Sequence, residues 1–301
     1  MRITEHNVGP GAYGVAIAAD GAVWASLVER GELVRLDPDG TCTRISLDSS
    51  LSRPMVLTNG PDSDLWFSRG DGFLGHISRA GTISSRPVLT TMATPYGVCA
   101  GPEQTLWYTL ADHDRVGRMT SDGQTEEFPV PEGSVPSMIC AAGGDEVWVT
   151  LNQHNALCTV TLDGKLTTYP LPTPDAAPVG IAPSQDGAWF TEIGAGQIGR
   201  ISPDGAIEEY PLPNRSSRPH AVATTGDGGC WATLWASNSA IRLDHDGQVI
   251  DQAHFTAGAE PHGVAIAADD SVWVALEAGS LVNIGSQQVV GAALARPSGA
   301  T

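Results

Sequence analysis

The chain has 301 residues, 41% hydrophobic and 17% charged, with 35 glycines and 21 prolines, a composition that excludes disorder. Its net charge is −18, and Lys165 is the only lysine, so the basic face that nucleic acid or an anionic membrane would need is absent. No run approaches the roughly 18 apolar residues of a membrane helix, and the start, MRITEHNVGP, does not read as a secretory signal.

Taken in order, Ile3-Thr4-Glu5-His6 reads as an outer-strand segment, like the later Ile207-Glu208-Glu209-Tyr210. Seven tryptophans then mark a repeat, Trp24, Trp66, Trp107, Trp148, Trp189, Trp231 and Trp273, at intervals of 41 or 42 residues. Trp235 alone lies outside the series. The unit is clearest from Pro178 to Pro213. An apolar run, VGIAP, leads through a Gln-Asp-Gly turn to the Trp strand AWFTE. A Gly-rich loop leads to QIGRIS, and a second Asp-Gly turn to IEEYPLP. Asp-Gly between short apolar segments signals a hairpin, and the Pro-rich exit suits an edge strand. The second turn recurs at Asp39-Gly40, Asp122-Gly123, Asp163-Gly164, Asp204-Gly205 and Asp246-Gly247.

Four short strands in a repeat of about 40 residues describe a β-propeller blade. The expectation is an all-β, seven-bladed propeller, four antiparallel strands per blade, one domain over residues 1–301. Residues 3–8 are expected to supply the outer strand of the last blade and close the ring. The tail from Val289 to Gly299 is the other candidate for that place. The five cysteines, Cys42, Cys99, Cys140, Cys158 and Cys230, are odd in number and lack a CxxC. They read as small buried thiols in a reducing cytoplasm.

Blade geometry gathers two positional classes around the axis on one face, the top. The residue before strand one, eleven before each Trp (ten in unit five), is Tyr13, Met55, Tyr96, Ser137, Val179, His220 or His262. The residue four after each Trp is Val28, Gly70, Ala111, Asn152, Ile193, Trp235 or Glu277, a column whose only carboxylate is Glu277. With Glu260 two before His262, the last two blades place His220, His262, Glu260, Glu277 and Trp235 at one channel mouth, and ring closure brings Tyr13 beside them. Two carboxylates can hold a hard cation such as Mg²⁺, and a histidine beside it can act as a base near neutral pH. That set suits proton abstraction next to a carbonyl, followed by elimination or ester hydrolysis. The plainer alternative is a polar channel lining that only binds water. His6, His76, His245 and His254 fall on strands or bottom turns. His113 and His154 fall in top loops, and Glu192 reads as a structural loop residue.

These residues are similar to those of the virginiamycin B (streptogramin B) lyases. The resemblance rests on Tyr13-Gly14, Ile198-Gly199-Arg200-Ile201, Arg218-Pro219-His220-Ala221 and Glu260-Pro261-His262-Gly263 followed by Trp273 and Glu277. It implies a cytoplasmic, monomeric propeller that linearises cyclic depsipeptide antibiotics by Mg²⁺-assisted elimination at the threonine ester. It implies His262 as general base, Glu260 and Glu277 as Mg²⁺ ligands, and His220 and Tyr13 as substrate-binding. Trp235 is assigned to the pocket wall independently of the resemblance. Two departures stand out. The Trp-Phe-Thr-Glu strand is whole only at Trp189–Glu192, and the interval from His262 to Glu277 is one residue longer than in the family. The competing readings are a metal-dependent lactonase or esterase and a non-enzymatic propeller that binds a peptide or protein.

Overall fold

A computed structural model describes residues 2–285. Seven four-stranded antiparallel sheets follow one another along the chain and form a seven-bladed β-propeller. In blade five the strands are Pro178–Ser184, Gly187–Glu192, Gln197–Ile201 and Ile207–Pro211, paired in that order. The turns follow from their residues. Gly205 and Gly247, in second turns, have φ of +86° and +75°, which a side chain with a Cβ rarely adopts.

Blade seven is composite. Pro261–Ile266, Val272–Leu276 and Ser280–Gly285 are completed by the N-terminal strand Arg2–Asn7, which pairs antiparallel with Ser280–Gly285. The first strand of the chain therefore closes the ring, as its resemblance to an outer strand predicts. Val289–Gly299 lies outside the described residues.

The core lies between blades rather than on the axis. One cluster joins Ala275 and Leu281 of blade seven to Val15, Val23, Leu27 and Val34 of blade one. Another joins Trp148 and Leu157 to Ile181, Ala188 and Phe190. Trp107 and Trp189 are fully buried, and guanidinium groups face the rings, with Arg200 5.6 Å above Trp189. The residue after the tryptophan needs a gap opposite it: a Cβ on Gly199 would stand 2.1 Å from Phe190 Cζ. Four of the five free cysteines are buried as expected, but Cys42 is exposed, because it starts the outer strand Cys42–Ser46 of blade one.

Each first strand carries a β-bulge near its start, between Pro178 and Ile181 in blade five and between Pro261 and Val264 in blade seven. The channel column of Tyr13, Met55, Tyr96, Ser137, Val179, His220 and His262 is the second residue of these strands, inside the bulge. This corrects the expectation that it precedes the strand. A bulge puts two residues opposite one and re-aims a side chain, and here it does so in every blade.

Candidate functional site

The residue two before each channel residue has left-handed backbone in six blades: Gly11, Arg53, Val135, Ala177, Arg218 and Glu260. The φ of +50° at Glu260 is thus a device of the repeat, not strain peculiar to this blade. It turns the chain into strand one and sets Glu260 beside the end of the Trp strand, where the Glu277 N–H donates to the Glu260 carbonyl at 3.1 Å. In the bottom turn between His262 and Glu277, Ala267 N–H donates to the Ser271 carbonyl as Ala18 does to Ala22 in blade one, so the turn is built alike in the two blades.

A row of hydroxyls holds the channel residues. Thr191 accepts from Gly180 N–H at 2.8 Å and donates to the His220 carbonyl at 2.9 Å. Thr233 accepts from Ala221 N–H at 3.0 Å and donates to the His262 carbonyl at 2.7 Å. Ser26, Thr109 and Thr150 clasp Met55, Ser137 and Val179 of the following blade in the same way. Blade seven has Ala275 at this position and supplies no such clasp to blade one.

Three rings from blades one, six and seven meet above the channel. The Tyr13 ring centre is 4.4 Å from that of His262 at 32°, and the two imidazoles lie 4.7 Å apart, edge to face. The Tyr13 hydroxyl is 2.6 Å from the Tyr96 hydroxyl and 3.4 Å from His220 Nε2. His262 Nε2 is 2.6 Å from Glu277 Oε2. Burial pushes the His262 imidazole down to about 4, and burial with the facing His262 pushes His220 down to about 3. Both are therefore neutral at neutral pH, and the His262–Glu277 contact is a hydrogen bond from a neutral ring to a carboxylate. The space beneath is about 90 Å³, lined by Tyr13, Tyr96, Met138, His220, Val222 and Val264 among others. A larger hollow of about 1060 Å³ opens on the opposite face around Ala18, Pro38 and Asp269, away from these groups.

The other expected residues stand nearby in different settings. Glu260 is exposed, and its carboxylate has no protein partner among the described residues. It does not lie within 4.8 Å of both His262 and Glu277 ligand atoms. Among the described residues, the one group of three that close is Asp62 and Asp64 of a bottom turn with His76 of the strand Phe73–Ile77, where His76 Nε2 and Asp64 Oδ2 are 2.8 Å apart and Arg79 Nε stands 3.8 Å from Asp64. Trp235 begins a short 3-10 turn on the rim, with the Arg218 guanidinium 5.5 Å from its ring, and takes no part in the ring cluster. His113 and His154 are exposed in top loops. Glu192 is not a loop residue. It ends the strand Gly187–Glu192, fully buried, accepting from Gln197 Nε2 at 2.5 Å. Burial lifts its carboxyl to about 8 against the pull of Gln197, and Glu209 adds to the rise. Sequence reasoning placed Tyr96 in the channel column but not in the site, and it passed over the hydroxyls two after the Trp in the first six blades.

Residues 1–284 match the family model of the virginiamycin B lyases. The chain belongs to the virginiamycin B lyase family. A virginiamycin B lyase of Nocardia farcinica is 41% identical over 93 residues, 31% of this chain and 33% of that protein, so the match spans about a third of that relative. A streptogramin B lyase structure superposes with a TM-score of 0.90 at 33% identity, covering 94% of this chain and 97% of that one. The virginiamycin B lyase of Staphylococcus aureus superposes at 0.89 and 31% identity, covering 94% and 98%. The same S. aureus enzyme is also known as a catalytically inactive histidine-to-alanine variant with quinupristin (TM-score 0.89, 30% identity, 94% and 98% covered). Among the described residues no helix is long and apolar enough to cross a membrane.

Proposed function

We propose that this family member linearises streptogramin B-type cyclic depsipeptides by Mg²⁺-dependent elimination at the threonine ester. The observation that carries the reading is the placement of His262, bonded to Glu277 and enclosed by the Tyr13 and His220 rings. Support comes from the S. aureus relative, which was captured with quinupristin as an inactive variant.

The chemistry requires a base at the α-carbon of the esterified threonine. His262 takes that proton. The electron pair left behind forms the α,β double bond, and the β-carbon–oxygen bond breaks, with its electrons leaving on the carboxylate. Glu277 against Nε2 orients the ring and stabilises the imidazolium once the proton has arrived. His220 and Tyr13 hold the ester beside His262, and Trp235 forms an outer wall.

Glu260 and Glu277 are the residues that would hold Mg²⁺. They fit the ion: both offer hard oxygens, their backbones are hydrogen-bonded to each other, and the Glu260 carboxylate has no competing protein partner. When bound, the ion would stabilise negative charge on the carbonyl and leaving carboxylate oxygens.

The test is mass spectrometry of a streptogramin B incubated with the protein, with and without Mg²⁺. A linear product of unchanged mass, formed only with the ion and lost reversibly with chelator, supports elimination. A gain of one water means hydrolysis and overturns the lyase reading, as does the absence of any product.

A further inference from the structure

The geometry points to Tyr96 as a positioning residue for this site: its hydroxyl, 2.6 Å from that of Tyr13, fixes the Tyr13 ring against His220 and over His262. The inference rests on the site assigned above. Two of the seven channel residues are tyrosines, in blades one and three, on either side of Met55 in blade two. Their bulged backbones aim both phenols into the channel, where the oxygens meet at the short end of the O–H···O range. Tyr13 then has two partners for its single oxygen, Tyr96 on one side and His220 Nε2 on the other.

A phenol carries one proton, so Tyr13 can donate in one direction only. Either Tyr96 donates to Tyr13 and Tyr13 to His220, or the chain runs the opposite way from His220. In both polarities Tyr13 is the middle member, and without the Tyr96 hydroxyl it keeps one partner. Burial holds both phenols above their ordinary range, so neither ionises near neutrality and the link stays a hydrogen bond between neutral groups. The consequence falls on ring packing. Tyr13 packs on His262 with its ring tilted by 32° and on His220 edge-on, at 5.8 Å and 82°. The torsion of one side chain therefore sets how both imidazoles sit. Among the described residues the ring that Tyr96 meets is that of Tyr13, so its effect passes through Tyr13.

Three variants test this: Tyr96→Phe, Tyr13→Phe and the double substitution. Phenylalanine keeps the ring and removes only the link. In the free protein, the ¹⁵N signal of His220 Nε2 should move in Tyr96→Phe in the same direction as in Tyr13→Phe. The double variant should match Tyr13→Phe alone, since both act through one oxygen. With substrate, kcat of Tyr96→Phe should fall about tenfold with KM changed less than about twofold. An unmoved His220 signal, additive losses in the double variant, or a raised KM with unchanged kcat would each overturn the assignment. The His220 signal needs no turnover, so it decides the role of Tyr96 even if the parent protein opens no depsipeptide.

Discussion

Glu192 gives the sharpest stability prediction, because it is a fully buried carboxyl on a strand where most other blades carry leucine, as at Leu27, Leu151 and Leu276. Burial lifts it from an ordinary value of 4.5 to about 8. The folded chain therefore keeps this proton up to about pH 8, whereas the unfolded chain releases it above about 4.5. The contribution to stability is complete below the unfolded value. It falls as pH rises, at up to about 1.4 kcal/mol per pH unit, until the folded group also ionises. Between pH 5.5 and 7.5 that amounts to about 3 kcal/mol at most. Glutamine at 192 keeps the shape and removes the proton equilibrium. Denaturant unfolding of the parent and of Glu192→Gln at both pH values reads this group, because titrations independent of it cancel in the difference of differences. The parent should lose more stability than the variant over that interval. Equal pH slopes in the two proteins would refute the reasoning.

Replacing His262 by alanine should lower turnover by about a thousandfold while circular dichroism and melting temperature stay near those of the parent; appreciable residual turnover would remove it as the base. Thr233→Val deletes an acceptor for Ala221 N–H and a donor to the His262 carbonyl and should cost about 2 kcal/mol. Thr150→Val, with the same bonds to Met138 and Val179, should cost about as much in chemical denaturation. Only Thr233→Val should also lower kcat. Gly199→Ala, which brings a Cβ to 2.1 Å from Phe190 Cζ, should destabilise by about 1–3 kcal/mol, read as an earlier unfolding midpoint.

The propeller was legible because its signals are local and repeated. Tryptophans at near-constant spacing count the blades, Asp-Gly pairs mark the turns, and Ile3-Thr4-Glu5-His6 reads like every other outer strand. The apposition of Tyr13, His220, His262 and Glu277 followed from the same period, since closing a circle makes the first and last units neighbours. The register slip in each first strand was not legible, because a bulge leaves no mark in an apolar run. The Tyr13–Tyr96 contact was hidden for another reason: it spans two blades, and its length depends on the channel bore. Glu192 looked like a loop residue because nothing nearby in the sequence shows that Gln197 and Glu209 close over it. Trp235 shares a column with Glu277, but the neighbouring Arg218 accompanies its ring on the rim.

The composite seventh blade sets the order in which the protein can be made. Arg2–Asn7 is synthesised before the six intervening blades, and its partner Ser280–Gly285 after them. This pairing brackets the other six blades, so its loop-closure entropy is met only after they have stacked. The joint it completes, between blades seven and one, lacks the hydroxyl clasp, because Ala275 stands where Thr233 does one blade earlier. It is also the joint at which Tyr13 reaches His262. A chain stalled before closure would hold six well-packed blades and no assembled site, so the appearance of turnover during refolding would time the closing of the ring.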